Sequence, residues 1–585
     1  MRADRHKPSA FLALRLLAVL GLAAAWAGSA EPPERAAGFD RGGRFDDGGP
    51  GGEGAGGRGE GGAQEEPPAG DPQEDPGGGA GEPPGDAAPG QPLSSPICPA
   101  APAGPCADGA QPLTAAEVQG LASRAAAAFS DPGYTVAVVD RAGRVLALLR
   151  KNPASSAFDD EALGLARTAA FFSHNQAPLS SRTVRSLSGV HFPAGVARTA
   201  SAALYGIENT NRGCDLAVTW NPGQCVPRAT SVVHGGSCDA ASAAACGTGP
   251  VTGKPDAFDT HGPAGPPNHK PATVAVNPGG VPIYRGDRLV GGIGVAGLPA
   301  AAAEFAAFSA VSSGFGPAPS TLKPRDAVFI DGIRLPFVQQ TSRPPGTSSG
   351  AAPVLFQLGP APGGCVPEGY LVGPTAGPGL SLAEVQGIVS AAEAAAGRIR
   401  GVIRLPLGSR ARMAIAVADA QGEILALFRM PDSTVFSLDV AVAKARNVAY
   451  LSRVGLPPLP PGTAITNRTL GFGAQPLFPS GIDGSSSGPF FGLFQQDLAN
   501  PCRLGGDPAG PYRNGLVFFA GSVPLYRGST LVGGLGVSGD GIEQDDYVSF
   551  FGAQGFLPPE ALRADRFKVG GVRLPFLKFP RNPEG

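Results

Sequence analysis

The chain contains one stretch twice, and that duplication narrows the folds open to it. Residues 277–297 (NPGGVPIYRGDRLVGGIGVAG) are answered by residues 519–539 (FAGSVPLYRGSTLVGGLGVSG). In each copy two short apolar runs flank an Arg-Gly turn, the pattern of a β-hairpin whose glycine supplies φ > 0. Both copies also fit G-x-G-x-x-G, at Gly292, Gly294, Gly297 and at Gly534, Gly536, Gly539. A dinucleotide site needs that turn to open the helix of a βαβ unit, with an acid about 20 residues further on. Here the glycines continue the second arm of a hairpin. They read instead as places where another backbone or a flat ligand approaches closely.

The rest of the chain falls into register with this repeat. Leu113–Gly120 matches Leu380–Gly387, and in each a Thr or Ser followed three residues later by Glu forms a capping box. Next come paired apolar runs, Thr135–Asp140 with Arg144–Arg150 and Ala414–Asp419 with Glu423–Arg429, around Asp-x-x-Gly turns. Helices are predicted over Asp159–Phe172 and Leu438–Leu451. An irregular middle follows, Ser180–Gly195 against Asn467–Gly481. Then come the repeated hairpin, a helix (Ala300–Val311; Glu543–Phe551) and a closing Asp331–Phe337 against Gly570–Phe576. Helix, hairpin, helix, loop, hairpin, helix predicts an α+β domain, an antiparallel sheet covered by helices. Two such units in one chain predict an intramolecular pseudo-dimer, each completing the other's free face or edge.

The segments outside the repeats set the compartment. Residues 1–30 carry Arg2, Arg5, Lys7 and Arg15 before the apolar run Leu16–Trp26 and small residues at 27–30, the pattern of a secretory signal. That run is shorter than the roughly 20 residues needed to span a bilayer, and no later stretch reads as membrane-spanning. Residues 31–97 are Gly, Pro, Asp and Glu with almost no large apolar side chain, a disordered linker. The units are expected at 98–343, with a Cys-rich insertion at 207–271, and at 344–585. A net charge of −2 leaves no electrostatic footprint for nucleic acid. In an exported protein, periplasmic or secreted, eight cysteines read first as disulfides. Cys365 and Cys502 have only each other within the second unit. Cys98, Cys106, Cys214, Cys225, Cys238 and Cys246 allow 15 pairings.

Taken together, the motif V-x-D-x-x-G-x-[IVL]-L-A-[LF]-x-R, a helix with A-x-[KR]-x-A and the Gly-rich hairpin resemble the GlcG/HbpS-like haem-binding family, related to the C-terminal domain of PduO-type proteins. The second unit keeps more of the pattern, with Arg429-Met-Pro-Asp432, Ala443-Lys-Ala445 and the run 538–546. The resemblance implies a profilin-like fold that oligomerises and in some members binds or alters haem.

Haem needs an axial donor in an apolar slot. Apart from His6, every histidine lies in the first unit or its insertion. His191, in Gly-Val-His-Phe-Pro, is the leading candidate as a haem or metal ligand, weighed against a packed loop histidine; His174 is the second. Arg150 and Arg429 end the same strand in both units and could grip a carboxylate, against the plainer reading of a strand-end salt bridge. No residue reads as catalytic. Three functions follow from this reading: an exported binder of haem or another small molecule, a disulfide-stabilised scaffold with no ligand, or an enzyme acting on haem or a small oxidised metabolite.

Overall fold

The computed structural model describes residues 106–583 except 132, 144, 153–157, 190–206, 208–275, 324, 331, 351–354, 359–365, 480–481, 483 and 500–514. The expected signal, linker and most of the insertion lie outside these residues, as does His191. Of the eight cysteines only Cys106 is among them, and it is disulfide-bonded.

The first repeat runs α1 (Ala115–Ala127), β1 (Thr135–Asp140), β2 (Val145–Arg150), α2 (Asp159–Phe172), α3 (Ser181–Gly189), β3 (Gly280–Arg285), β4 (Arg288–Ala296), α4 (Ala300–Ser312) and the short pair β5 (Phe329–Ile330) and β6 (Ile333–Arg334). Two strands follow between the repeats, β7 (Leu355–Leu358) and β8 (Gly369–Val372). The second repeat repeats the order: α5 (Leu382–Ala396), β9 (Ala414–Asp419), β10 (Ile424–Arg429), α6 (Phe436–Val454), α7 (Asn467–Gly473), α8 (Phe491–Ala499), β11 (Ser522–Arg527), β12 (Thr530–Ser538), α9 (Ile542–Gly552), β13 (Lys568–Val569) and β14 (Val572–Arg573).

Each repeat builds a five-stranded sheet, β3-β4-β1-β2-β7 and β11-β12-β9-β10-β8, with every pairing antiparallel. β1 and β9 are buried along their whole length, because helices cover both faces of each sheet. That explains their continuous apolar runs where a one-sided sheet would alternate. On one face of the first sheet Val136 and Val138 pack with α1 and α4; on the other Ala137 and Val139 pack with α2. The capping boxes form as expected, with Thr114 and Ser381 each accepting from the Glu three residues on.

The G-x-G-x-x-G glycines lie on β4 and β12, and their reason is contact. A Cβ built on Gly294 would sit 2.0 Å from the Ala162 carbonyl oxygen, and one on Gly536 the same distance from that of Ala441. Helices α2 and α6 therefore rest directly on the strand backbones. The middle segments, expected to be irregular, contain short helices α3 and α7. Their starts are set by a Ser/Thr-x-x-Thr motif: Ser180 Oγ accepts from Thr183 N (3.2 Å) and Thr466 from Thr469 N (3.1 Å). The second threonine of each motif clamps the closing segment, Thr183 Oγ1 donating to Pro336 O (2.8 Å) and Thr469 Oγ1 to Pro575 O (2.7 Å).

One hydrophobic cluster passes from the first repeat into the second. It joins Phe171, Phe172 and Leu179 to Ile403, Leu405, Val435, Phe436 and Val440. The rings of Phe172 and Phe436 stack at 4.0 Å, and Val435 N donates to Phe171 O at 3.0 Å.

Candidate functional site

Among the described residues, two connections differ between the repeats. After α2 the first repeat goes to α3 through residues 173–180. After α6 the second takes the longer path 455–466, whose Leu456, Leu459, Ala464 and Ile465 are buried against Leu574 and Phe576. This path is also tied to the stretch just before the closing segment, Ala464 N donating to Leu562 O (2.7 Å) and Ala564 N to Ala464 O (3.1 Å). In the first repeat the equivalents of Leu574 and Phe576 are Leu335 and Phe337. With the shorter connection they line a cavity of about 620 Å³.

The cavity wall is apolar: Pro178, Ala318, Leu322, Val328, Leu335, Pro336, Phe337 and Val338, with Leu405 contributed by the second repeat. Lys323, Asp326, Arg334 and Gln339 bring polar groups, and Lys323 and Arg334 are cations on the solvent side. Thr183 also lines it, with its hydroxyl already committed to Pro336 O. An apolar hollow whose exposed mouth carries two cations, Lys323 and Arg334, and one carboxylate, Asp326, suits a small, largely apolar anion by the balance of charge.

Leu405 arrives on the second long connection, between α5 and β9. The first repeat holds it in place. His174, completely buried, has Nε2 3.0 Å from Ile403 O, and its Nδ1 accepts from Gln176 N and Ala177 N, both at 3.2 Å. The ring is therefore the Nε2–H tautomer, neutral, and burial beside Arg404 holds it well below the usual histidine range. Gln176 Nε2 donates to Leu405 O (3.2 Å) and to Ser409 Oγ (3.1 Å).

Next to this pin sits a charge hub centred on Asp432, whose backbone is left-handed (φ 59°). Its carboxylate accepts from Arg141 Nη2 of the first repeat (2.7 Å), from Arg404 Nη1 (2.8 Å) and from Asn175 N (3.1 Å). Arg141 also reaches Asp108 (2.6 Å), while Arg404 reaches Gln176 Oε1 (2.9 Å) and pairs with Asp540. Burial alone would raise the Asp432 carboxyl; Arg141 and Arg404 hold it well below the carboxylate range.

Of the sequence candidates, none of the three described ones faces the cavity wall. Both nitrogens of His174 are engaged in the pin. Arg150 closes on Asp159 at the start of α2, Nε to Oδ2 at 2.8 Å. Arg429 is 1% exposed and donates to Pro367 O (3.3 Å) and Ser433 O, with Glu368 at 3.5 Å. Burial first, then the charge of Arg141, brings it down to about 10. His191 follows α3 in the sequence and lies outside the described residues. Among those residues no group of three or more His, Cys, Asp or Glu is placed to hold a metal. No described helix is long and apolar enough to cross a membrane. Sequence reading missed Lys323, Arg334, Leu405 and the hub; the unequal connections between matched motifs were the signal for them.

Two homologous α+β domains, sharing one hydrophobic cluster and one polar junction, make this a tandem-domain protein. A family profile described as "Haem degrading protein HbpS-like" matches residues 112–312 and 380–553, more than half of the chain. The protein belongs to the HbpS-like family. No functionally curated protein matches it. Among solved structures, it is similar to a PduOC–haem complex at 22% identity, covering 30% of this chain and 94% of that one, with a TM-score of 0.21. It is also similar to Klebsiella pneumoniae protein ORFY (21%, covering 30% and 90%, TM-score 0.20) and to a double mutant of Streptomyces reticuli HbpS (20%, covering 31% and 88%, TM-score 0.18).

Proposed function

We propose that the protein is an exported, periplasmic or secreted binder of haem or a closely related apolar anion, its two repeats paired as a pseudo-dimer. The observation that carries the reading is the cavity of about 620 Å³ in the first repeat of an HbpS-like chain. Its residues fit the periphery of a porphyrin. Leu322, Val328, Leu335, Phe337 and Leu405 would exclude water from the apolar plane, and Lys323 and Arg334 would pair with propionate-type carboxylates. Among the described lining residues no His, Cys, Met or Tyr is available to an iron. Axial ligation accordingly rests on His191, whose position after α3 is known from sequence alone. When bound, haem would supply redox-active iron; the chain's own part is to hold and shield it.

Hemin titration followed by absorbance tests this. A saturable Soret shift is expected, weakened about tenfold or more by Lys323→Glu with Arg334→Glu, since each charge-assisted contact is worth about 1.5–3 kcal/mol. His191→Ala should change the Soret position if His191 ligates. Absence of any shift in the unaltered protein would leave the disulfide-stabilised scaffold as the better account.

A further inference from the structure

The two repeats share motifs, yet their long connections do opposite things. Path 455–466 fills, with Leu456 and Leu459, the space over Leu574 and Phe576. The connection between α5 and β9 leaves its own repeat and delivers Leu405 to the wall of the other. It is fastened there at three points, Ile403 O by His174, Leu405 O by Gln176 and the Arg404 guanidinium by Gln176, with Asp432 of its own repeat holding the same guanidinium. The corresponding connection in the first repeat, residues 128–134, is short.

We infer that the chain has one composite site for an apolar anion, walled by both repeats, and that the second repeat has exchanged its own binding cavity for the task of closing the first. The inference rests on the function proposed above for the ligand's chemistry but not for how the site is built. Among the described residues this space is open in the first repeat and packed in its copy, so this site takes one ligand per chain. A wall residue on the second repeat makes that repeat part of the site.

The test is binding stoichiometry on the full chain, with hemin and, separately, with the fluorescent apolar anion 1-anilinonaphthalene-8-sulfonate. One equivalent per chain is expected for each. Leu405→Trp, which places an indole in the cavity from the second repeat, should abolish that binding. Gln176→Ala should weaken it several-fold by loosening the Leu405 connection. Thermal melts establish that both variants remain folded, and Leu407→Trp, on the same connection but 69% exposed, is the control that should bind normally. Two equivalents per chain, or full binding in folded Leu405→Trp, would overturn the inference. Binding of the sulfonate but not of hemin would sink the haem reading and leave the composite site standing. Binding of neither would sink both.

Discussion

Lys444 and Asp545 form a fully buried ion pair, Nζ to Oδ2 at 2.9 Å, at the place where the first repeat has Leu165 and Ala303. Lys444 Nζ also donates to Val537 O (2.8 Å) and lies 4.9 Å from the centroid of the Phe519 ring. The same fold is thus packed around a charge pair in one copy and around hydrocarbon in the other. Neither pairing is required by the backbone.

The first copy therefore supplies a test of the second. Lys444→Leu alone removes the partner of a buried carboxyl group and, above pH 7 where that group is ionised, is expected to cost about 3–5 kcal/mol in denaturant unfolding. Lys444→Leu with Asp545→Ala transplants the solution of the first repeat, and should recover most of that loss. A double variant as unstable as the single one would show that the pair does more than fill space.

Asp432 should matter in proportion to what it neutralises. Asp432→Asn keeps a residue that tolerates the left-handed backbone, but leaves Arg141 and Arg404 facing each other with one counter-charge fewer. A loss of about 3 kcal/mol or more is expected. Because the hub joins the repeats, the unfolding transition should also broaden or split as they uncouple. Calorimetry reads both effects.

Two groups push stability in opposite directions with pH. His174 has a folded-state pKa below its unfolded value near 6.5, so its contribution is full above that pH and is lost as pH falls. His174→Gln, which can still donate to Ile403 O, should flatten the acid limb between about pH 6.5 and 5, by up to about 1.4 kcal/mol per pH unit. Asp545 is pushed up to about 7 by burial, despite Lys444. Its folded state holds a proton the unfolded chain releases near pH 4, so that contribution is lost as pH rises from about 4 to 7. The double variant at Lys444 and Asp545 should remove this second slope. Stability measured against pH in the three proteins separates the two.

Two glycines should respond oppositely to the same change. Gly536→Ala drives a methyl into the Ala441 carbonyl and is expected to cost about 3 kcal/mol or more. Gly387→Ala, on the exposed side of α5 with open space around it, should stabilise by about 0.5–1 kcal/mol. Melting temperatures of the two variants decide it.

The repeated hairpins, the capping boxes at Thr114 and Ser381 and the helices at 159–172 and 438–451, the second of which extends to 436–454, are legible because each rests on local pattern. Short helices α3 and α7 escaped because they are only about two turns long with few apolar residues, and their starts are specified by Ser/Thr-x-x-Thr. Asp545 and Asp546 lie near the start of α9, where carboxylates complement the macrodipole and ordinarily stay in solvent. They are buried instead, because Lys444 and Arg468 reach them from other elements. The strand-end arginines illustrate the same limit: equivalent by sequence, Arg150 pairs with Asp159 while Arg429 is sealed among carbonyls. The cavity was hidden for a further reason. It is made by what the first repeat lacks and by what the second lends it, and neither fact belongs to a motif.

Strands β7 and β8 are separated by ten residues in sequence, yet one completes the first sheet against β2 and the other completes the second against β10. The stretch joining the repeats is therefore structural on both sides of its midpoint. A fragment of either half that stops at the end of the recognisable repeat would bare the backbone of its outermost long strand, an invitation to pair with other chains. Separating the halves cleanly means dividing the chain after Leu358 and before Gly369, so that each keeps its own fifth strand.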